Sequence, residues 1–178
     1  MTCIVGFVNK KSKKVYMGAD SAGVAGLDVT IRKDLKIFKK GEFLIGCTTS
    51  FRMIQIIRFS FNPPPLIKKD VFEYMCTDFI DEIRACFKKG GFLEKDKEAE
   101  SGGCFLVGYK NRLFKIDSDF QVGESVDGHM AIGCGSSFAL GSMYSTEHSY
   151  PEYKVLEALR CAAHYSAGVR APFTILNT

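Results

Sequence analysis

Met1-Thr2-Cys3-Ile4-Val5-Gly6-Phe7-Val8 and, past a lysine-rich turn, Lys14-Val15-Tyr16-Met17-Gly18-Ala19 decide how this chain folds. Both runs are rich in β-branched and aromatic residues, and turn-forming Asn9 and Ser12 lie between them, so they read as a strand hairpin. The threonine directly after the initiator methionine gives the first strand a chemical reading. With Met1 removed, Thr2 carries an α-amine and a hydroxyl on adjacent carbons, and such an amine accepts the proton of the threonine Oγ. The amine titrates near about 8, so a useful fraction is neutral at physiological pH. The bland reading is an ordinary N-terminus, and what the rest of the chain brings to Thr2 decides between the two.

Working outward, Asp20 to Gly26 reads as a flexible loop. Leu35 to Lys39 and Glu42 to Thr48 read as a second hairpin turning at Lys40-Gly41. From Ser50 to Ser60 the period becomes helical, with Met53, Ile56, Ile57 and Phe61 on one side, and Asn62-Pro63-Pro64-Pro65 stops it. Asp70 to Lys89 is a second amphipathic helix, ended by Gly90-Gly91. A charged loop, Glu94 to Gly103, follows. Period two then returns in short strands at Cys104–Tyr109, Arg112–Asp117, Phe120–Gly123 and Met130–Cys134. Two more helices, near 136–146 and 152–166, precede a closing strand at Pro172–Leu176. Helix pairs inserted between antiparallel strand groups indicate an α+β fold in one domain spanning 1–178. One way to bury both pairs is on the opposite outer faces of two stacked sheets.

Bulk properties remove several function classes. A chain with 46% hydrophobic and 25% charged residues folds as a globular protein. A net charge of +4 is too small to imply a nucleic-acid partner, and the cluster Lys10-Lys11-Ser12-Lys13-Lys14 reads as a solvated hairpin tip. No run is long enough for a membrane span. The seven cysteines have no C-x-x-C or zinc spacing, so no metal or other cofactor is expected. Free thiols without a signal peptide point to the cytoplasm.

A working N-terminal nucleophile needs a nearby cation, a carboxylate to hold it, and backbone N–H groups facing the oxyanion. Asp20 ends the strand next to Thr2's strand. Lys36 opens the next hairpin, with Lys33 as a rival for its role. Gly46-Cys47-Thr48-Thr49-Ser50 turns a strand end into a helix N-terminus, where amides can meet an oxyanion. Each has a plain alternative: Asp20 as a turn cap, Lys36 as a surface lysine.

In this ordered set the chain resembles the proteasome β subunit and HslV peptidase group of N-terminal-nucleophile hydrolases. The resemblance rests on Thr2, Gly-Ala-Asp-Ser at 18–21, Ala-Gly at 25–26, Lys36-Ile37 and Leu44-Ile45-Gly46. Met130-Ala131-Ile132-Gly133-Cys134-Gly135-Ser136-Ser137 and Ala158-Leu159-Arg160-Cys161-Ala162-Ala163 extend it over nearly the whole chain. It implies a four-layer αββα sandwich of two mainly antiparallel sheets. It makes Thr2 the nucleophile with its own amine as general base, Asp20 and Lys36 the supporting pair, and the Ser50 N–H an oxyanion donor. Gly23, Thr48 and Arg52 fall where substrate pockets are lined, and Asp34 and Phe38 flank Lys36. Cys134 stands where the family has a serine, with Ser136 as its substitute. Ser166 matches a supporting serine, but Ala163 replaces an acidic residue beside His164. The resemblance further implies a threonine endopeptidase acting on polypeptides, a homo-oligomeric ring, and a separate ATP-dependent unfoldase, since no P-loop occurs here. An inactive ring or scaffold protein and a small-molecule amidase are the alternatives. A dinucleotide site at Gly133-x-Gly135 lacks its third glycine, and the cysteines and histidines show no hydrolase signature.

Overall fold

The computed structural model describes residues 1–146 and 150–178. In chain order its strands are β1 (Ile4–Asn9), β2 (Lys14–Ala19), β3 (Ala22–Ala25), β4 (Asp28–Ile31), β5 (Ile37–Lys40) and β6 (Phe43–Cys47). They continue as β7 (Glu94–Asp96), β8 (Ala99–Ser101), β9 (Phe105–Tyr109), β10 (Arg112–Ile116), β11 (Val122–Gly123), β12 (His129–Ile132) and β13 (Thr174–Asn177). The helices are α1 (Phe51–Phe59), α2 (Val71–Tyr74), α3 (Ile80–Lys89), α4 (Ser136–Ser145) and α5 (Pro151–Tyr165). A π-helical turn, Met75–Phe79, joins α2 to α3 without a break.

One sheet has the order β12-β1-β2-β13 and the other β11-β10-β9-β6-β5, with every pairing antiparallel. Alternation along each strand buries both faces. Cys3, Val5, Phe7 and Tyr16 pack on Val155 and Leu159 of α5 and on Met143 of α4. Ile4, Val15 and Met17 point the other way and meet Ile37, Leu44 and Leu106 of the second sheet. That sheet's far face, with Phe43, Ile45, Val107 and Tyr109, packs on the first three helices. The result is the αββα sandwich expected, with Ile83 and Leu159 fully buried as the helical periodicity requires.

The centre of the first helix layer is aromatic. Phe79 is fully buried with ring centres of Phe61 and Phe43 at 5.1 and 5.4 Å. Truncating it leaves a cavity between the rings of Phe43, Phe61 and Tyr74, so Phe79→Ala is expected to cost about 3–5 kcal/mol. The urea midpoint checks this; a loss under about 1 kcal/mol would mean the cluster is loosely packed.

Four local expectations differ from the structure. The stretch 20–26 is not an open loop: β3 and β4 form a hairpin from Ala22 opposite Ile31 to Ala25 opposite Asp28, closed by Gly26 at φ 60°. The charged stretch 94–103 is likewise a small hairpin, β7 with β8, turning through Lys97 at φ 55°. Both are short two-stranded ribbons with little apolar alternation, so their strands carry no clear period-two signal. The segment 120–123 contributes only the two-residue β11. The helix expected over 70–89 contains the π turn, a register slip that residue spacing does not reveal.

Candidate active site

Antiparallel pairing brings the end of β2 to the start of β1. Asp20 therefore meets Cys3, whose N–H donates to its Oδ1 at 2.9 Å. Lys36, the residue before β5, reaches the same oxygen across the sandwich, with Nζ donating at 2.7 Å. The other oxygen accepts the N–H groups of Ala22 and Arg170 at 2.9 and 3.2 Å. Asp20 and Lys36 are each 2% exposed, so this ion pair is sealed from water. Burial pushes the Lys36 ammonium below its ordinary pKa of 10.5, and the Asp20 charge and hydrogen bond oppose that shift. Lys33 is exposed.

Thr2 is 5% exposed at the head of β1. Its hydroxyl donates to the Met1 carbonyl at 2.5 Å, and its amide N–H donates to Cys134 Sγ at 3.4 Å. Ser166 Oγ donates to the same sulfur at 3.4 Å, so Cys134 joins the C-terminus of α5 to Thr2. The thiol in turn donates to the Thr2 carbonyl. Gly133 lets the turn after β12 close on this strand. At φ 93°, a Cβ there would stand 2.2 Å from the Thr2 carbonyl oxygen. Ser136 donates its N–H to the Gly133 carbonyl at 3.1 Å, completing that turn. It is thus the Cys134 thiol, not the Ser136 hydroxyl, that contacts Thr2.

The strand-to-helix turn after β6 is tighter than its sequence suggests. The Ser50 hydroxyl caps α1 by accepting the Arg52 N–H at 3.1 Å. Its own N–H donates to the Thr48 carbonyl at 2.7 Å, around Thr49 at φ 63°. A β-branched residue rarely takes this left-handed conformation. Thr49 is tied there by accepting the Cys104 N–H at 3.1 Å. Ser50 is itself extended at φ −141°, so the position needs no glycine.

Two openings flank Met1. One, of about 80 Å³, is lined by Thr2, Lys36, Thr48, Ser50 and Phe51 among others. The other, of about 360 Å³, is lined by Thr48, Cys104, Lys115, Asp117 and Ser136 among others. Thr48 lines both. Gly23 lies on β3 against Arg32. Arg52 turns away: its guanidinium donates to the Gly90 carbonyl past the end of α3, at 3.2 Å. Ala163 packs on the α4–α5 core, and His164 is exposed with its ring edge-on to Tyr165, 4.6 Å between centres. Sequence reading had no signal for Arg170, which reaches Asp20 across 150 positions, nor for Phe51, whose place on α1 looks like that of any helix-start aromatic. Among the described residues no group of three His, Cys, Asp or Glu side chains is placed to hold a metal ion.

No protein-family model and no curated protein sequence matches the chain. Solved structures do. BPH from Thiobacillus denitrificans, in complex with epoxomicin, superposes with a TM-score of 0.82 at 19% identity, covering 99% of this chain and 98% of that one. Eukaryotic HslV from Trypanosoma brucei gives 0.68 at 16% identity, covering 99% and 98%. The Anbu (Gly-1) mutant from Hyphomicrobium sp. strain MC1 also gives 0.68 at 16%, covering 98% of this chain and 80% of that one. At these identities the likeness is one of fold: the chain has the αββα fold of HslV- and proteasome-type hydrolases.

Proposed function

We propose that this chain is a threonine endopeptidase of a self-compartmentalised protease, with Thr2 as the nucleophile once Met1 is removed. The observation that carries the reading is the sealed Asp20–Lys36 pair at the head of Thr2's strand. An ammonium held in a dry site is costly to keep without a task. Here its charge favours the neutral Thr2 amine and stabilises the attacking oxygen.

In the reaction the Thr2 Oγ attacks a peptide carbonyl carbon and its proton passes to the α-amine. The amine then gives that proton to the leaving peptide nitrogen as the C–N bond breaks. The remaining ester is attacked by water, with the amine again as base, and Thr2 is regenerated. Cys134 and Ser166, joined to the Thr2 nitrogen, orient the amine. The Ser50 N–H serves the oxyanion after turning from the Thr48 carbonyl, a small motion at a turn already held in a rare conformation.

The decisive experiment is an intact mass followed by labelling. The expected protein lacks Met1, and an electrophile that captures an N-terminal threonine adds its mass to the peptide beginning at Thr2. Epoxomicin, bound by the Thiobacillus denitrificans protein, is the first probe to try. Labelling at Cys134, or no labelling of protein shown to lack Met1, would sink the mechanism. The result would then favour an inactive scaffold, a reading supported by Ala163 in place of an acidic residue.

The pH profile gives a second check. Activity rises as the amine loses its proton, near or below about 8. It falls as Lys36 loses its own, and burial places that limb below 10.5. A kcat/KM that stays flat past 10.5 would remove Lys36 from the mechanism.

In this reading the chain works as one domain, 1–178, in a cytoplasmic homo-oligomeric ring fed by a separate ATP-dependent unfoldase. Among the described residues no helix is long and apolar enough to cross a membrane. Mass photometry at micromolar concentration is expected to show the ring. A strict monomer would exclude the chamber and leave an amidase of small molecules or a non-catalytic scaffold.

A further inference from the structure

The opening of about 80 Å³ beside Thr2 has one aromatic wall, Phe51, and that wall is braced. The Arg32 guanidinium carbon lies 3.8 Å from the centre of the Phe51 ring. Asp34 holds this guanidinium in a two-pronged pair, at 2.9 Å from Nε and 2.8 Å from Nη2. The Arg32 N–H also donates to the Ser21 carbonyl at 2.8 Å, which ties the brace to the residue after Asp20. Gly23 makes the stack feasible. A Cβ there would stand 2.7 Å from Arg32 Cδ and 3.6 Å from Phe51 Cε2. Lys36 Nζ lies 5.8 Å from the centre of the same ring, so Phe51 contacts both the brace and the lysine of the site.

What this wall encloses is small and neutral. Val24, Cys47 and Ile54 add apolar surface. Lys36 is paired with Asp20 and Arg32 with Asp34, so a charged side chain entering here finds no free counter-ion. With Met1 in place the volume is about half that of a cavity of ~150 Å³ that admits benzene. Met1 is one of the lining residues, so its loss widens the opening on that side. Its side chain packs at Gly168, where a Cβ would stand 2.4 and 2.7 Å from Met1 Cβ and Sδ, and the Phe51 wall stays in place.

We infer that Phe51, braced by Arg32 and Asp34, sets the size of the side chain accepted on the acyl side of the cleaved bond. The substrates are accordingly polypeptides cut after small aliphatic residues, alanine or valine. The inference rests on Thr2 as nucleophile, and it replaces Arg52 with Phe51 as the specificity residue of α1.

The test uses protein lacking Met1 and peptide electrophiles that capture an N-terminal threonine, differing only in the residue that carries the reactive group: Ala, Val, Leu, Phe, Arg or Glu. The readout is the rate of mass addition to the Thr2 peptide. The Ala and Val probes are expected to react at least about tenfold faster than Phe, Arg or Glu. Phe51→Ala is expected to speed the Leu and Phe probes by about tenfold while the Ala probe changes little. Phe51→Leu, which keeps most of the packing on α1, gives the same direction with a smaller gain and guards against a folding artefact. Arg32→Ala, which frees the ring, flattens the ranking. If Thr2 is labelled but the wild type takes Phe fastest, or the Phe51 variants keep the wild-type ranking, the specificity inference is wrong and the nucleophile stands. If no probe labels Thr2, the nucleophile itself fails and this inference with it.

Discussion

Thr2→Ala, in protein freed of Met1, is expected to lower kcat/KM for peptide cleavage by about 10⁶-fold, the scale seen when a covalent nucleophile is deleted from a site whose other parts remain. The change deletes a hydroxyl and a methyl group at a position whose hydroxyl, among the described residues, bonds the Met1 carbonyl, a partner that leaves with Met1. The fold should therefore lose no more than about 1 kcal/mol, and thermal unfolding of the variant should lie close to that of the parent. Residual cleavage within a hundredfold of the parent would mean that another group attacks. Cys134, whose sulfur already touches Thr2, is then the first residue to test.

The second large effect separates structure from chemistry within one ion pair. Asp20→Ala leaves the Lys36 ammonium buried without its partner and orphans the N–H groups of Cys3, Ala22 and Arg170. Breaking a buried pair from one side costs about 3–5 kcal/mol. At about 2–4 °C per kcal/mol for a chain of this size, the melting point should fall by about 6–20 °C. Lys36→Met leaves a carboxylate that still accepts three backbone N–H groups, so its melting point should fall less. Its activity should nevertheless be lost almost as fully as in Thr2→Ala, while Lys33→Ala is mild. Equal stability for the two pair variants would show that the backbone donors contribute little. The reverse order of activity for the two lysine variants would put the cation at Lys33.

The strand-period runs at both ends of the chain and the helical runs between them carried the architecture, because each element buries one apolar face and its spacing is written locally. The π turn before Ile80 and the two short ribbons were not legible, since neither changes which residues are apolar. Within the candidate site, the place of Asp20 beside Thr2's strand was readable from the hairpin, while its pairing with Lys36 and the proximity of Cys134 and Ser166 to Thr2 came from the resemblance. The direction of Arg52 was not, because a long side chain on the first turn of α1 can point to the pocket or to Gly90, and only packing against α3 chooses.

By itself, then, the sequence determined the strands and helices and their α+β order, which follow from local periodicity, and placed Asp20 beside Thr2's strand, since strand ends must meet when a hairpin closes. The layered sandwich and the further residues gathered at Thr2 came from the resemblance. Tertiary structure alone decided which oxygen of Asp20 holds which donor, that Arg170 closes the carboxylate's shell, that Ser50 turns its N–H to Thr48, and that Phe51 rather than Arg52 walls the opening. These depend on contacts between segments far apart in the chain, where a shift of an ångström changes the partner and no spacing along the sequence records it.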